Sequence, residues 1–467
     1  MWMDTKTQIV LLGRRKLLAL HRRRDAVELL AIAVIWVPTL LFIAEVGWGG
    51  FGDLIKTVST LNRLSALIVT SLLIVHIALV ARIPWIESIV GLDKLTLAHK
   101  RLGKPILYLL FFHAFSSVLS LVLVDSKSLI DAFLYLTLNY WSLALATVSL
   151  ALFVLVVVTS IRIVRKKVKY ETWYLVHLLS YAAIFASIPH QYELGTDFLV
   201  QPVLQTYFTL LYVFVGLNLL WFRALQPVVM SLGANLRVVE VKPEANRTTS
   251  ISIGGKSLAR FGAEAGQFFL LRVLTRNQWW RPHPFSVSND PGKEIRFTVG
   301  NRGDDTALLQ EIKVGTRVIL EGPFGVFSES KRSRQRVTLM AAGIGVAPIR
   351  ALAESLAAEP GDITVIYRVN DDSDAALLSE LERICRDRQH KLQLVKGPRA
   401  KNGSFLPEVG PGEAWQADEL RLLELAPEIR DSDVYICGPA AWSKSVKVAL
   451  KRLRIERSHI HIEEFAW

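Results

Sequence analysis

The sequence predicts a multi-domain membrane protein: an all-α bundle of six transmembrane helices, then a small antiparallel β-barrel, then an α/β domain of Rossmann type. Three observations predict it. Long apolar runs are confined to the residues before about 226. From about 232 to 330, apolar and polar residues alternate with a period of two, broken by Gly, Pro and Asn. From about 336 the pattern becomes strand, glycine turn, helix. At 467 residues the chain is too long for one domain. It is 51% hydrophobic yet carries a net charge of +13, which fits a membrane half joined to a soluble half better than a nucleic-acid binder.

A basic arm occupies residues 1–25, and the membrane domain is expected over 26–226. Its six apolar spans are read at Val27–Val46, Leu64–Val80, Pro105–Val124, Trp141–Val164, Thr172–His190 and Leu204–Leu225. Several pass the roughly 18 residues that flag a spanning helix; the fifth is the most polar. The basic residues sort by connection. The arm holds Lys6, Arg14, Arg15, Lys16, Arg22, Arg23 and Arg24. The second connection holds Arg82, Lys94, Lys100, Arg101 and Lys104, and the fourth holds Arg162, Arg165, Lys166, Lys167 and Lys169. The alternate connections offer only Lys56, Arg63 and Lys127. Seventeen against three places both termini in the cytoplasm and makes membrane lipid the first partner. No small-residue cleavage site follows the first apolar run, which reads as an uncleaved helix.

Two histidine pairs lie in or beside these spans. His113 is in the third and His99, fourteen residues before it, just precedes that span; His177 and His190 stand thirteen apart in the fifth. At 1.5 Å per residue each pair spans about 20 Å, from one membrane face towards the other. Ionisable groups within a bilayer are rare, and neutral imidazole is an axial ligand of haem iron. Two parallel helices with such pairs suit two stacked haems of the b type, His99 with His177 on the cytoplasmic side and His113 with His190 outside. His76 reads as a packing residue. Fourteen helical steps bring His113 to within about 40° of His99, but thirteen leave His190 about 140° from His177. Pro189 is the place where a kink or widened turn would supply the difference. Phe185, Phe111 and Phe112 fall between the two levels and suit either the space between haems or core packing.

The barrel is expected over 232–330, with strands at LRVVEV, FFLLRV, IRFTV and RVILEGPFG, and the α/β domain over 331–467. Three motifs carry chemistry. The run Arg281-Pro282-His283-Pro284-Phe285-Ser286, beside two tryptophans, offers an aromatic for a flavin ring, a cation for its pyrophosphate and a hydroxyl near its reactive nitrogen. Gly303-Asp304-Asp305-Thr306 opens a helix whose free N–H groups suit a diphosphate. Gly343-Ile344-Gly345-Val346-Ala347-Pro348 follows an apolar strand, where glycines let backbone approach a pyrophosphate. Cys385 and Cys437 are the only cysteines, too few for a disulfide framework, a zinc site or an iron–sulfur cluster.

The four histidines, with ARIPW…HKRLGK, RPHPFSVS, GPFG, AGIGVAP and CGP, resemble the ferric reductase-like superfamily to which NADPH oxidases belong, in its compact bacterial form. The resemblance runs from about residue 60 to the C-terminus. It implies a six-helix haem domain followed by a ferredoxin–NADP reductase-like dehydrogenase, in a bacterial inner membrane. It implies FAD at His283, Phe285 and Ser286, and the nicotinamide dinucleotide at Gly343, Gly345, Pro348, Gly438 and Pro439, with Cys437 near the nicotinamide. Where the family has an arginine or lysine in the strand before the GDxT-like turn, this chain has Gly300, and Arg302 stands two residues on. The family's terminal aromatic, which stacks on the flavin, corresponds to Trp467, with Phe465 the alternative. Arg368 follows the second strand of the nucleotide domain, where a cation suits a 2′-phosphate and favours NADPH over NADH.

The expected activity is transmembrane electron transfer from NADPH through FAD and two haems to an acceptor outside the cytoplasm. Dioxygen would give superoxide, with Arg63 at the outer end of the second span as a candidate to stabilise the anion or, equally, as a headgroup-snorkelling residue. Ferric iron would make the chain a metal reductase, and Glu193 and Asp197 in the outer loop are candidates to attract a cation. A protein acceptor, or a non-catalytic haem-binding redox sensor, are the remaining readings.

Overall fold

The computed structural model describes residues 5–463 except 246, 277, 302, 399, 401–402 and 409–416, and the side chains of all these but 5–17, 162, 170, 304 and 305. The chain divides into two compact units. A helical unit comprises Asp25–Ile86 and Leu92–Phe222; a strand-rich unit comprises Arg223–Trp467 with Met1–Arg24 and Glu87–Gly91.

The helices run α1 (Thr5–Val46), α2 (Leu54–Ala78), α3 (Pro84–Val90), α4 (Leu92–Asp125), α5 (Leu129–Asn139), α6 (Trp141–Ser160), α7 (Arg162–Arg165), α8 (Tyr170–Glu193), α9 (Thr196–Val200) and α10 (Pro202–Asn218). A π-helical turn at Leu219–Leu225 leads into α11 (Gln226–Gly233). Among the described residues, six segments are long and apolar enough to cross a membrane: Leu18–Val46, Leu54–Ala78, Leu92–Asp125, Trp141–Ser160, Glu171–Glu193 and Pro202–Gly233. They overlap the six expected spans, but the first, second and third begin earlier, at Leu18, Leu54 and Leu92, and the sixth runs on to Gly233. Asp53 accepts a hydrogen bond from Lys56 N and fixes the start of α2. In α4 the residues Lys94, Lys100, Arg101 and Lys104, which read as loop, lie in the first turns of the helix, where long side chains reach back to an interface.

Packing pairs these helices. α4 lies along α2 and α8 along α6, whereas α4 and α8 barely approach each other along their described backbones. The α2–α4 pair is antiparallel, with Asn62 level with His113 and His76 level with His99. Ser149 on α6 donates to the Ala183 carbonyl on α8. One apolar cluster joins Phe42, Leu67, Ile74, Phe198, Phe208 and Val215; a smaller one joins Leu107, Phe153 and Ala183. Trp36, Leu30 and Leu217 point outward, as lipid-facing residues do.

In the strand-rich unit the first strands are β1 (Arg237–Ala245), β2 (Thr248–Gly254), β3 (Phe268–Val273), β4 (His283–Ser286), β5 (Ile295–Gly300) and, after helix α12 (Asp304–Gln310), β6 (Val318–Phe324). The expected closed barrel is not formed. The strands make two open antiparallel sheets, β1-β2-β5 and β4-β3-β6, whose edges meet, among the described residues, at the isolated bridges Arg237↔Arg317 and Val287↔Phe297. β4 is four residues long and carries Pro284, which has no N–H to give a ladder; bulges interrupt β1 and the β3–β6 pairing. Leu236, Ile251, Phe269, Leu271, Phe297 and Leu320 fill the space between the sheets.

The remaining elements are β7 (Arg336–Ala342), α13 (Val346–Ser355), β8 (Ile363–Val369), α14 (Leu378–Asp387), β9 (Lys391–Lys396), α15 (Asp418–Leu425), β10 (Ser432–Cys437), α16 (Ala440–Arg452) and β11 (Ile460–Glu463). The strands form one parallel sheet in the order β11-β10-β7-β8-β9. This is the expected α/β architecture, and β7 and β10 are buried almost throughout, as parallel strands covered on both faces must be. Chain order reverses between β7 and β10, which makes the crevice at their carboxyl ends the topological switch point.

Candidate functional site

The histidines of α4 and α8 meet in pairs. The His99 and His177 ring centres lie 6.1 Å apart at 71°, and those of His113 and His190 lie 6.4 Å apart at 32°. A metal–imidazole bond of about 2.0–2.1 Å, plus about 1.1 Å from nitrogen to ring centre, puts two imidazoles on opposite sides of one metal about 6.3 Å apart. Both pairs fit that spacing. α8 stays α-helical through Pro189, so no widened turn supplies the expected rotation; the pairs differ instead in ring angle.

The other nitrogen of each α4 histidine is spoken for. His99 Nδ1 lies 3.1 Å from the His76 carbonyl, and His113 Nδ1 lies 3.2 Å from the Asn62 carbonyl. A carbonyl only accepts, so each contact calls for the tautomer with the proton on Nδ1, the one a histidine uses when it binds a metal through Nε2; the Asn62 amide nitrogen also stands 3.3 Å from His113 Nδ1. The Asn62 amide donates in turn to the His113 carbonyl at 2.9 Å and to Ser116 and Ser117 Oγ. His76 stacks on His99 at 3.7 Å, and Trp173 stacks on His177 at 5.1 Å. A cavity of about 170 Å³ opens beside His113 and His190, lined by Val69, Leu110, Phe133 and Phe153 among others, and its lining holds no Asp, Glu, Lys or Arg. Phe185 is 73% exposed, and Phe111 and Phe112 are exposed too, so none of the three is core packing.

Arg63 does not reach out alone. Its Nε lies 3.2 Å from each carboxylate oxygen of Asp197, its Nη2 also binds Asp197, and its guanidinium sits 5.0 Å from the Phe42 ring centre. Asp197, which lies in α9 and not in a loop, is buried, so it neutralises Arg63 and is not available to an incoming cation.

In the parallel sheet, the predicted dinucleotide residues gather at the carboxyl edge. Gly343 and Gly345 follow β7, and Gly438 and Pro439 follow β10; Arg368, expected just after β8, lies within it as the penultimate residue, paired with Ala342 next to the glycine loop. Gly343 has φ +54°, open to glycine without strain. Gly345 has a different reason: a Cβ there would lie 2.1 Å from the Cys437 carbonyl oxygen. The glycine thus lets the two switch-point turns close on each other. Cys437 is wholly buried, and Pro348 is buried in the first turn of α13. Arg368 donates to Asn370 Oδ1 at 2.7 Å and to the Gly397 carbonyl at 3.1 Å, which orient its guanidinium at that edge.

On β4, alternation separates the predicted flavin residues: His283 and Phe285 share one face, their rings near-parallel at 6.2 Å, and Pro284 and Ser286 take the other. Phe285 also packs against Phe297. Ser286 Oγ is buried with no hydrogen-bond partner among the described residues, the kind of orphan that a bound polar ligand satisfies. Arg281 lies 4.8 Å over the Trp280 ring. Gly303 precedes α12, and Thr306 Oγ1 donates back to its carbonyl at 2.9 Å. Arg302, Phe465 and Trp467 lie outside the described residues. Sequence reasoning passed over Asn62 because it lies two residues before the span read from Leu64, whereas the structure carries that helix back to Leu54. It also passed over an ionic cluster centred on Glu380, which no local motif announces.

Residues 65–188 match the family model described as ferric reductase like transmembrane component, and residues 339–447 match the oxidoreductase NAD-binding domain. The chain is 27% identical to the flavohemoprotein of Vibrio cholerae over 43% of this chain and 51% of that protein. It is 26% identical to the ferredoxin reductase component of 3-ketosteroid-9-alpha-monooxygenase of Mycobacterium tuberculosis, over 43% and 54%. It thus spans about half the length of these curated relatives. Among solved structures, the FAD/NAD-binding domain of the nitric oxide dioxygenase of Vibrio cholerae is similar at 22% identity, covering 50% of this chain and 98% of that one, with a TM-score of 0.38.

Proposed function

We propose, for an oxidoreductase that joins a ferric reductase-like transmembrane segment to an NAD-binding segment, that the chain carries electrons from cytoplasmic NADPH across the membrane to dioxygen, giving superoxide. The observation that carries this reading is the pair of imidazole pairs, each spaced for one metal and set fourteen residues apart along α4. His99 and His177 would hold an inner haem b, and His113 and His190 an outer one. His283, Phe285 and Ser286, with Arg281, Pro284, Gly303 and Thr306, would hold FAD. Gly343, Gly345, Pro348, Arg368, Gly438 and Pro439 would hold NADPH, with Cys437 beside the nicotinamide and Trp467 as the aromatic that covers the flavin. When bound, the flavin converts a two-electron donor into single electrons and the haems give those electrons a path.

The chain's own residues set the terms. Carbonyls on α2 hold the proton of His99 and of His113 on Nδ1, so Nε2 stays a neutral ligand. His113 and His190 would hold the outer haem from both sides, so its iron would supply electron transfer without binding the acceptor. The uncharged cavity beside His113 and His190 suits a small apolar acceptor. The Arg63–Asp197 pair bears on both acceptors: it neutralises the arginine expected to steady superoxide and occupies a carboxylate expected to attract a cation, so ferric iron stays as the alternative acceptor.

The test uses purified protein with added FAD. A Soret band that NADPH shifts to the reduced position, absent without FAD and lost in His99→Ala and His177→Ala, is expected; a colourless protein overturns the reading. Cytochrome c reduction suppressed by superoxide dismutase then marks dioxygen, and ferrous-chelate colour in its place marks the metal reductase.

A further inference from the structure

The loop that follows β4 and the helix that follows the glycine turn are tied together by one ionic cluster. Glu380, in the first turn of α14, accepts from Arg296 Nη1 at 3.0 Å and Nη2 at 2.8 Å, and from Arg350 Nε at 3.0 Å. Lys242 Nζ stands 3.5 Å from its other oxygen. Arg296, on β5, also holds the loop: its Nη2 donates to the Ser288 carbonyl at 3.0 Å and its own amide donates to Asn289 Oδ1 at 2.9 Å. Arg350, on α13, pairs with Glu354, whose Oε2 accepts from the Asp290 amide at 2.8 Å.

The placement matters more than the charges. Ser288 is two residues past Ser286 on the flavin strand, and Arg350 is four past Val346, where α13 leaves the glycine turn. The side chains of Arg350, Arg296 and Glu380 are 4%, 12% and 15% exposed. Charges so shielded interact strongly and tolerate little displacement, and the two-pronged Arg296–Glu380 bond fixes direction as well as distance.

We propose that Glu380 is a positioning residue: as the common acceptor of Arg296 and Arg350 it sets the separation of the flavin strand from the glycine turn, and so the approach of the nicotinamide to the flavin. This rests on the NADPH-to-FAD reading above. In the step it governs, a C–H bond of dihydronicotinamide breaks and the hydrogen leaves with both bonding electrons for the flavin, which is reduced as the nicotinamide is oxidised. Reacting atoms must come within about 3–3.5 Å, and a misplacement of about 1 Å costs on the order of a hundredfold in rate.

The experiment is anaerobic stopped-flow bleaching of the flavin by NADPH in the full-length, FAD-loaded protein, with E380Q and R296K compared with wild type. E380Q weakens both arginine contacts; R296K keeps the charge but loses the fork, so it serves even where E380Q holds flavin poorly. The expected result is a limiting bleaching rate per bound flavin lower by about tenfold or more in E380Q, less in R296K, with the NADPH concentration at half-saturation little changed. A changed isotope effect with 4-deuterated NADPH goes with it. Wild-type rates per bound flavin in both variants, even with lowered flavin content or melting temperature, overturn the proposal by showing a purely structural role. A wild-type flavin that NADPH never bleaches sinks the underlying reading, and the role of Glu380 with it.

Discussion

At the scale of single residues, the firmest constraint is steric. The missing Cβ of Gly345 would fall on backbone atoms of Cys437 and Gly438, which have no flexible end to move. Gly345→Ala is therefore expected to destabilise the strand-rich unit by about 3 kcal/mol and to weaken NADPH binding. Thermal unfolding and NADPH titration of the variant check this, and wild-type values in both would refute it. The sequence pointed to this glycine, but for another reason: it read as room for a pyrophosphate, whereas the visible contact is with the neighbouring turn. Arg63 and Asp197 were each legible, as a charge at the end of a span and as a carboxylate in a connection; their pairing across 134 positions was not, because pairing across a fold leaves no local trace.

At the scale of elements, the ionic brace makes acid sensitivity local. Burial pushes the Glu380 carboxyl up, but hydrogen bonds from Arg296 and the charges around it prevail and hold it at about 2, against an ordinary 4.5. A carboxyl with a lowered folded pKa stabilises the fold above its unfolded value, and that stabilisation is lost as pH falls from about 4.5 towards about 2. The unfolding free energy of the strand-rich unit should drop across this window by on the order of 2–3 kcal/mol from this group, and E380Q should flatten that part of the curve. Denaturant titrations at a series of pH values measure it; an unchanged slope in the variant refutes it. The elements themselves were largely readable. Six spans and the parallel sheet follow from apolar runs that only a membrane or a doubly covered sheet can bury. β2 escaped because its polar positions are Thr and Ser, and β11 because four residues give too little pattern. The open barrel was unreadable for a related reason: closure depends on edge hydrogen bonds that Pro284 and three register shifts deny, and periodicity does not register such losses.

At the scale of the whole molecule, charge asymmetry and the histidine ladder make one claim about direction. If the basic connections face the cytoplasm, Ser128 at the start of α5 faces out and Lys167 faces in. Both native cysteines are buried, and burial pushes the Cys385 thiol up to about 12, so an introduced cysteine reports with little background. In intact cells an impermeant maleimide should label Ser128→Cys and spare Lys167→Cys; the opposite pattern would invert the topology.

The carbonyls of Asn62 and His76 are fourteen residues apart on α2, as are His113 and His99 on α4, and the two helices run opposite ways. Matched rungs of this sort make length itself a specification. One residue added between the rungs on either helix would swing one of them by about 100° and leave its imidazole without a carbonyl to hold it. Loops elsewhere can grow or shrink, but these two intervals can change only together.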